Sequence, residues 1–169
     1  ACAGFDLSGA MLAQARERLG GHHVALAQGN LMDFTNGRQY DLVVSMFAVM
    51  DYLTANDNLV AGLRTAGLHM RPAGLFIFGG WFGPAVLANK LEVRTHEYLD
   101  GSKKVLRKAV PILDPARQTV SVRYEVSIHE GTKLIQEIKE EHCMRFMFIQ
   151  EMALAMDAAG LELAHASPF

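Results

Sequence analysis

The sequence has little of what several well-defined protein classes require. It contains only two cysteines in 169 residues, Cys2 and Cys143, too few for a disulfide framework and without metal-ligand spacing, which fits a reducing compartment. We expect both cysteines to be packing residues. The net charge is −2 and the basic residues are scattered, so the cationic stripe of a duplex-binding protein is absent. Apolar runs are too short to cross a bilayer, and no signal-peptide pattern is found. We therefore expect a cytoplasmic protein without a nucleic-acid or membrane partner.

The rest of the composition fits one folded domain of alternating strands and helices. Half of the residues are apolar, enough for a substantial core. Ser8 is placed to cap a helix whose apolar residues recur at helical spacing until Gly20. The patterns predict strands at 1–6, 24–28, 40–45, 75–78 and 161–166, helices at 9–19, 56–70 and 149–159, and a turn at 71–74. This alternation predicts an open α/β sheet with right-handed crossovers.

A different pattern follows in the second half. Residues 105–111, 119–129 and 134–147 partly alternate between apolar and polar side chains and are rich in Val, Ile, Tyr and charge. The turn signals Asp114-Pro115 and Glu130-Gly131 separate them. We expect these stretches to form antiparallel strands.

Residues 4–15, GFDLSGAMLAQA, resemble the second-strand motif of class I S-adenosylmethionine-dependent methyltransferases, usually G-x-D-x-S-x-x-M-L-x-x-A. The resemblance places Asp6, Leu7 and Met11 at the cofactor. A carboxylate at the C-terminal end of a strand faces the ligand crevice, where its oxygens can accept hydrogen bonds from two ribose hydroxyls. Asp6 would hold the ribose; the alternative is that it only caps the following helix.

Residues 29–34, GNLMDF, resemble the next motif of the family, usually G-D-x-x-D-L or G-D-x-x-D-F. In the family, an acidic side chain and backbone N–H groups of this loop contact the adenine. The resemblance implies adenine contacts by Asn30, Leu31 and Asp33. Asp33 matches the second acid, whereas Asn30 replaces the first and loses its charge. Asp33 also fits a surface loop carboxylate.

Residues 40–53, YDLVVSMFAVMDYL, resemble the fourth strand of the family and the turn after it. The continuous apolar run 42–44 predicts a strand covered on both faces. The resemblance places Met46, Phe47 and Ala48 beside the methionine part of the cofactor. A soft sulfur and an aromatic face suit a positively charged sulfonium. The alternative is that these residues only cover the core.

The antiparallel part, with residues 79–82, 142–148 and 151–154, resembles the small-molecule branch that includes the sugar-amine N-methyltransferases. There an added sheet roofs the active site, which implies a single domain over 1–169 with an insertion at about 92–147. A small-molecule amine or hydroxyl acceptor would use a general base. Candidates for that base are Tyr124, His129 and His142, with Tyr52 and Trp81 shaping the pocket. Each histidine also fits an exposed strand position.

The glycine-rich loop of the family is missing. No G-x-G-x-G pattern is present, and the one dense glycine cluster, residues 79–83, lacks the acid-rich strand context. The chain also starts inside an apolar segment without an initiator methionine, so we expect further sequence upstream of Ala1. The resemblance thus implies a Rossmann-like methyltransferase sheet lacking its first strand. The paired His22-His23 has no third ligand, so no metal is predicted.

Three functions remain open at this point. The first is S-adenosylmethionine-dependent methyl transfer to a small molecule, the chain being a fragment of the enzyme. The second is a non-catalytic methyltransferase-like protein that forms a homodimer through an exposed sheet edge. The third is an NAD-dependent oxidoreductase, since Asp6 after a second strand is also a ribose ligand in nicotinamide enzymes.

Overall fold

The computed structural model describes residues 2–167, which form two compact units. The first unit holds residues 2–45, together with Ala55–Ile77 and Ala153–His165. The second holds Met46–Thr54, Phe78–Met152 and residues 166–167. The predicted first strand begins at Ala1, which lies outside the described residues.

The first unit begins with a parallel strand pair. Strand β1, Cys2–Asp6, pairs with β2, Val24–Gln28, in a register that sets Asp6 beside Gln28. Helix α1, Gly9–Leu19, connects them. It forms where predicted because the Ser8 hydroxyl accepts the Met11 N–H at 3.3 Å and Gly20 ends the helix at φ 52°. This arrangement brings the residues after β1 and β2 to one end of the pair.

A second two-stranded sheet in this unit joins β3, Tyr40–Ser45, and β4, Met70–Phe78. Helix α2, Asn56–Leu68, precedes β4 and buries Leu59, Leu63 and Ala66. The predicted turn at 71–74 is wrong, because these residues are part of β4. Ala73 there has a φ of 62°, a left-handed conformation that favours glycine.

The apolar faces of this second sheet are open. On β3, Leu42 is 51% and Val44 52% exposed, so the prediction that this strand is covered on both faces is wrong. Leu75 and Ile77 of β4 are also exposed.

The second unit is built on a five-stranded sheet in the order β5-β9-β8-β7-β6. Its strands are β5 (Trp81–Phe82), β6 (Arg94–Asp100), β7 (Lys103–Asp114), β8 (Thr119–Glu130) and β9 (Lys133–Met147). Strands β7, β8 and β9 are antiparallel neighbours, as predicted. Strand β6, which was not predicted, pairs antiparallel with β7, and β5 pairs in parallel with β9. A 3-10 helix, Val49–Tyr52, and helix α3, Gly83–Ala88, belong to the same unit. Helix α4, Ile149–Ala158, follows β9.

The two faces of the five-stranded sheet differ in chemistry. One face carries the buried cluster Val120, Val122, Met144 and Phe146, against which Trp81 packs. The other carries cross-strand ion pairs, namely Lys104–Glu97 at 2.8 Å, Lys108–Glu125 at 3.2 Å and Arg123–Glu141 at 3.1 Å. Alternation along each strand separates the two sets. Exposed ion pairs add little stability, so the apolar face holds the sheet together.

Two sequence predictions outside these sheets are wrong. Residues 161–166 are not a strand. Instead, the Leu161 N–H bonds the Met156 carbonyl at 2.9 Å, and the Leu161 side chain lies against Gly67 of α2. The cysteines, expected to be packing residues, are free and exposed.

Candidate functional site

In the first unit, Asp6 and the loop at 29–34 lie at the same end of the β1–β2 pair. The Gly29 N–H donates to the Asp6 carbonyl at 3.1 Å. The carboxyl ends of parallel strands are where α/β sheets bind ligands. The two segments that resemble ribose and adenine contacts are therefore neighbours.

The Asp6 side chain is exposed and only partly engaged. Its Oδ1 accepts the Ser8 N–H at 2.7 Å, which orders the turn before the helix, whereas the helix cap itself is Ser8. Oδ2 makes no hydrogen bond among residues 2–167, so it is available to a ribose hydroxyl, and Oδ1 retains a second lone pair. Leu7 and Met11 are exposed apolar side chains at this end of the unit.

Asn30 shapes the loop, whereas Asp33 faces solvent. The Asn30 side-chain oxygen accepts the Met32 N–H at 3.0 Å, and its carbonyl accepts the N–H groups of Asp33 and Phe34 at 3.2 and 2.9 Å. The Asn30 side chain is thus used within the turn, and Leu31 is half-buried beside it. The exposed Asp33 carboxylate is the group left to contact a ligand.

Aromatic stacking holds this loop in place. The Phe34 ring stacks on Phe5, with centroids 4.2 Å apart, and on His69, 5.6 Å away. A Cβ on Gly29 would lie 2.2 Å from the Phe34 ring, so only glycine fits there. His69 is buried and accepts the Asn36 N–H at Nε2, 3.3 Å. His69 was not predicted from the sequence, because a histidine at a helix end has no distinctive pattern.

The turn after β3 is strained. Phe47 and Ala48 have φ values of 60° and 61°, a conformation that costs L-residues about 1–2 kcal/mol each. Phe47 is 94% exposed, and Met46 before it is exposed as well. Strained backbone of this kind is concentrated at ligand sites, so the exposed aromatic ring is available for a ligand.

The second unit contains a cavity of about 300 Å³ on the apolar face of its sheet. It brings together three of the residues predicted for the acceptor pocket, Tyr52, Tyr124 and His142. Its complete lining is Tyr52, Arg107, Tyr124, Val126, Glu140, His142 and Met144. The register explains the grouping, because Tyr124 pairs with Glu140 and Val122 with His142 on the same face of β8 and β9.

A hydrogen-bonded chain runs along the cavity wall. The Tyr52 hydroxyl lies 2.8 Å from His142 Nδ1, and His142 Nε2 lies 3.3 Å from a Glu140 carboxylate oxygen. A carboxylate only accepts, so Nε2 carries the imidazole proton and Nδ1 accepts the Tyr52 proton. Burial raises the pKa of Tyr52, and the neighbouring Tyr124, Glu140 and Asp51 add to the rise. Tyr52 is therefore a neutral hydrogen-bond donor at neutral pH.

Two charged residues that line the cavity, Arg107 and Glu140, were not predicted from the sequence. The Arg107 guanidinium lies over the Tyr124 ring, 4.3 Å from its centroid, a cation–π contact. Arg107 and Glu140 looked like ordinary solvent-facing residues of alternating strands. The cavity thus combines one cation, one carboxylate and an imidazole.

Two other predicted residues lie elsewhere in this unit. His129 does not line the cavity; its Nε2 lies 3.1 Å from the Ser127 hydroxyl, on the strand face away from Tyr124. Trp81 is half-buried and packs against the apolar cluster of the sheet. Its backbone N–H donates to the Asp51 carboxylate at 2.8 Å.

Two further properties concern metals and membranes. Within residues 2–167, no three His, Cys, Asp or Glu side chains converge closely enough to hold a metal ion. The helices of the described part of the chain are also too short or too polar to span a membrane.

Comparison with known proteins identifies methyltransferase relatives. A family model for a methyltransferase domain matches residues 1–74. The chain is 28% identical over 165 residues to the dTDP-3-amino-3,4,6-trideoxy-alpha-D-glucopyranose N,N-dimethyltransferase of Streptomyces venezuelae, covering 96% of this chain and 67% of that protein. It is 33% identical over 81 residues to the dTDP-3-amino-3,6-dideoxy-alpha-D-glucopyranose N,N-dimethyltransferase of Streptomyces fradiae, covering 48% of this chain and 31% of the relative.

Solved structures agree on the fold. The crystal structure of Streptomyces venezuelae DesVI superposes with a TM-score of 0.79 at 26% identity, over 94% of this chain and 65% of DesVI. CalS10 of Micromonospora echinaspora, an amino pentose methyltransferase solved with S-adenosylmethionine, has a TM-score of 0.77 at 22% identity, over 95% of this chain and 65% of CalS10. The chain thus spans about two thirds or less of the length of its relatives. These findings confirm the predicted α/β methyltransferase fold.

Proposed function

We propose that the chain is part of a class I S-adenosylmethionine-dependent methyltransferase and that it takes part in methyl transfer to an amine of a small molecule, most specifically an amino sugar. The observation that carries this proposal is the Tyr52–His142–Glu140 chain in the wall of a cavity of substrate size. The relatives named above are N,N-dimethyltransferases of dTDP-linked amino sugars, which favours an amine over a hydroxyl. They also favour methyl transfer over nicotinamide chemistry.

The first unit offers groups that fit the nucleoside part of the cofactor. Asp6 presents a free carboxylate oxygen at the end of a parallel strand, which suits a ribose diol. Asp33 suits the adenine amine, with Asn30 and Leu31 shaping the loop. When bound, S-adenosylmethionine supplies a sulfonium methyl group for in-line displacement. By resemblance, Met46, Phe47 and Ala48 would border that methyl group.

The cavity residues supply orientation and a route for the proton. Methyl transfer depends mainly on aligning donor and acceptor, which a shaped pocket provides. When the amine nitrogen gains its methyl group, one N–H proton has to leave. Tyr52 accepts that proton at its oxygen while its own proton passes to His142 Nδ1. Glu140 then stabilises the imidazolium through Nε2, and such general-base assistance is worth about 10²–10⁴-fold in rate.

Arg107 gives the cavity a preference for an acceptor that also carries negative charge. Its guanidinium is held over Tyr124 and forms no ion pair among residues 2–167. A phosphate group on the acceptor could pair with it bidentately. An amine at the Tyr52 end and an anionic group at Arg107 would fix the acceptor at two points.

We further propose that the chain works as part of a longer polypeptide that completes the first unit. Strands β1 and β3 belong to separate two-stranded sheets, and Leu42, Val44 and Leu75 leave apolar surface open. Unpaired strand edges and open apolar surface favour the addition of another strand. By resemblance, that strand would carry the glycine-rich turn that contacts the methionine end of the cofactor.

The same open edges support a second candidate, a non-catalytic protein that pairs with a second copy of itself. Calorimetric titration with S-adenosylhomocysteine and sedimentation analysis of the protein that contains this chain distinguish the two. We expect cofactor binding that weakens at least tenfold in Asp6→Asn and not in the exposed control Asp157→Asn. A stable dimer without cofactor binding would favour the second candidate.

A further inference from the structure

Asp51 is a fully buried carboxylic acid that the proposed chemistry does not use. It lies in the 3-10 helix Val49–Tyr52, directly before Tyr52, and its relative exposure is 0%. Charged side chains are almost never buried completely unless they are paired. Asp51 therefore requires an explanation.

The carboxyl group is held by the backbone of the segment between β4 and β5. Oδ2 accepts the Trp81 N–H at 2.8 Å. Oδ1 lies directly over Gly80, since a Cβ on that glycine would come within 2.5 Å of it. Asp51 thus fills the space left by Gly80 and joins the 3-10 helix to the start of β5.

One oxygen of this acid has no partner. Oδ1 is buried and makes no hydrogen bond among residues 2–167. An unsatisfied buried polar atom reduces stability, and an asparagine would accept the same Trp81 hydrogen bond without a charge. A buried acid that lowers stability in this way is expected where it contributes to a functional site.

We propose that Asp51 is a positioning residue of the acceptor cavity, tying the 3-10 helix that carries Tyr52 to the backbone of Trp81. The link between Asp51 and Trp81 is independent of the reaction, whereas its effect on methyl transfer rests on the proposed function. Fixing Asp51 fixes the residue after it, and the Tyr52 hydroxyl then stays 2.8 Å from His142.

The ionisation of Asp51 makes its contact with Trp81 detectable by titration near neutral pH. Burial raises the pKa of Asp51 to about 7, while the Trp81 N–H acts in the opposite direction. The titratable and charged groups nearby are Tyr52 on the same helix and, on β9, Glu140, His142 and Arg145. Arg145 is directed to the Thr54 carbonyl and to Glu151. None of them donates to Asp51 Oδ1, which has no hydrogen-bond partner among residues 2–167, so the titration of Asp51 should be resolvable.

Trp81 is the only tryptophan of the chain, so its fluorescence reports directly on this contact. We expect a fluorescence transition with a midpoint near pH 7 in the unmodified protein and none in Asp51→Asn. We expect Trp81 amide hydrogen exchange to be at least tenfold faster in Asp51→Ala but close to the original rate in Asp51→Asn. Circular dichroism establishes that each variant is folded.

Kinetics then test the effect on the cavity. In the methyltransferase that contains this chain, kcat/KM for the amine should fall about tenfold in Asp51→Ala, with recovery in Asp51→Asn. Unchanged Trp81 exchange and an unchanged fluorescence titration in both variants would overturn the positioning role. If no methyl transfer occurs at all, the proposed function fails, and the fluorescence and exchange results still decide the role of Asp51.

Discussion

Replacing Asp51 by asparagine should make the protein more stable above neutral pH, by an amount that follows from the structure. The substitution preserves the shape of the side chain and an oxygen to accept the Trp81 N–H. It removes a carboxylate that has to lose its hydration on folding. Burial raises the pKa of Asp51 to about 7 in the folded chain, from its ordinary value of 3.8.

The sign and size of the effect follow from linkage. An acid whose pKa is higher in the folded state than in the unfolded state disfavours folding once the unfolded chain ionises. The penalty is absent below pH 3.8, grows up to the folded pKa of about 7 and is constant above it. A rise of about three pKa units corresponds to about 4 kcal/mol, of which about 3 kcal/mol develops between pH 5 and 8.

The assay is urea unfolding followed by Trp81 fluorescence at pH 5 and at pH 8. At each pH, the free energy of unfolding of the unmodified protein is subtracted from that of Asp51→Asn. This difference should be about 3 kcal/mol larger at pH 8 than at pH 5. Asp100→Asn, which removes an exposed carboxylate in the same unit, should show a difference within about 0.5 kcal/mol at both pH values. A pH-independent difference for Asp51→Asn would refute the interpretation of Asp51 as a buried acid.

Other substitutions test individual parts of the account. Ala73→Gly should raise the free energy of unfolding by about 1 kcal/mol in urea titrations, because glycine relieves the positive φ of 62°; a loss of stability would contradict this. Gly29→Ala should lower it by about 2 kcal/mol, because the new methyl group would displace the Phe34 ring, and calorimetry should show weaker S-adenosylhomocysteine binding; unchanged affinity would disprove the role of the loop. Arg107→Gln should raise KM about tenfold for a phosphorylated amine, about 1.4 kcal/mol, and change KM little for an uncharged amine; equal effects on both would rule out an anion contact.

The sequence predicted the elements whose local signals agree with their tertiary contacts. β2 and β3 have the predicted bounds, and α1 begins after the Ser8 cap. β6 could not be predicted, because all seven of its residues are exposed and apolar residues do not occupy every second position. The strand expected at 161–166 had suitable alternation but finds no neighbouring strand among residues 2–167 to pair with.

The candidate site could also be predicted only in part. Tyr124 and His142 were predicted because Tyr and His side chains can act as a general base. The register of β8 and β9 sets both on one face of the sheet, with Tyr52 beside them. His129 was a candidate for the same reason but lies on the other face. Asp51 lies within the segment 40–53 that resembles the family, yet nothing in a sequence shows that a carboxyl group is buried beside Gly80.

The most direct measurement is methyl transfer by the protein that contains this chain, using S-adenosylmethionine with an isotopically labelled methyl group and a dTDP-linked amino sugar. Mass spectrometry should find the label on the amine nitrogen. The rate should fall about 10²-fold in His142→Gln, the lower end of general-base contributions. An unlabelled acceptor under conditions in which the cofactor binds, or label on a hydroxyl oxygen, would contradict the proposed amine methylation.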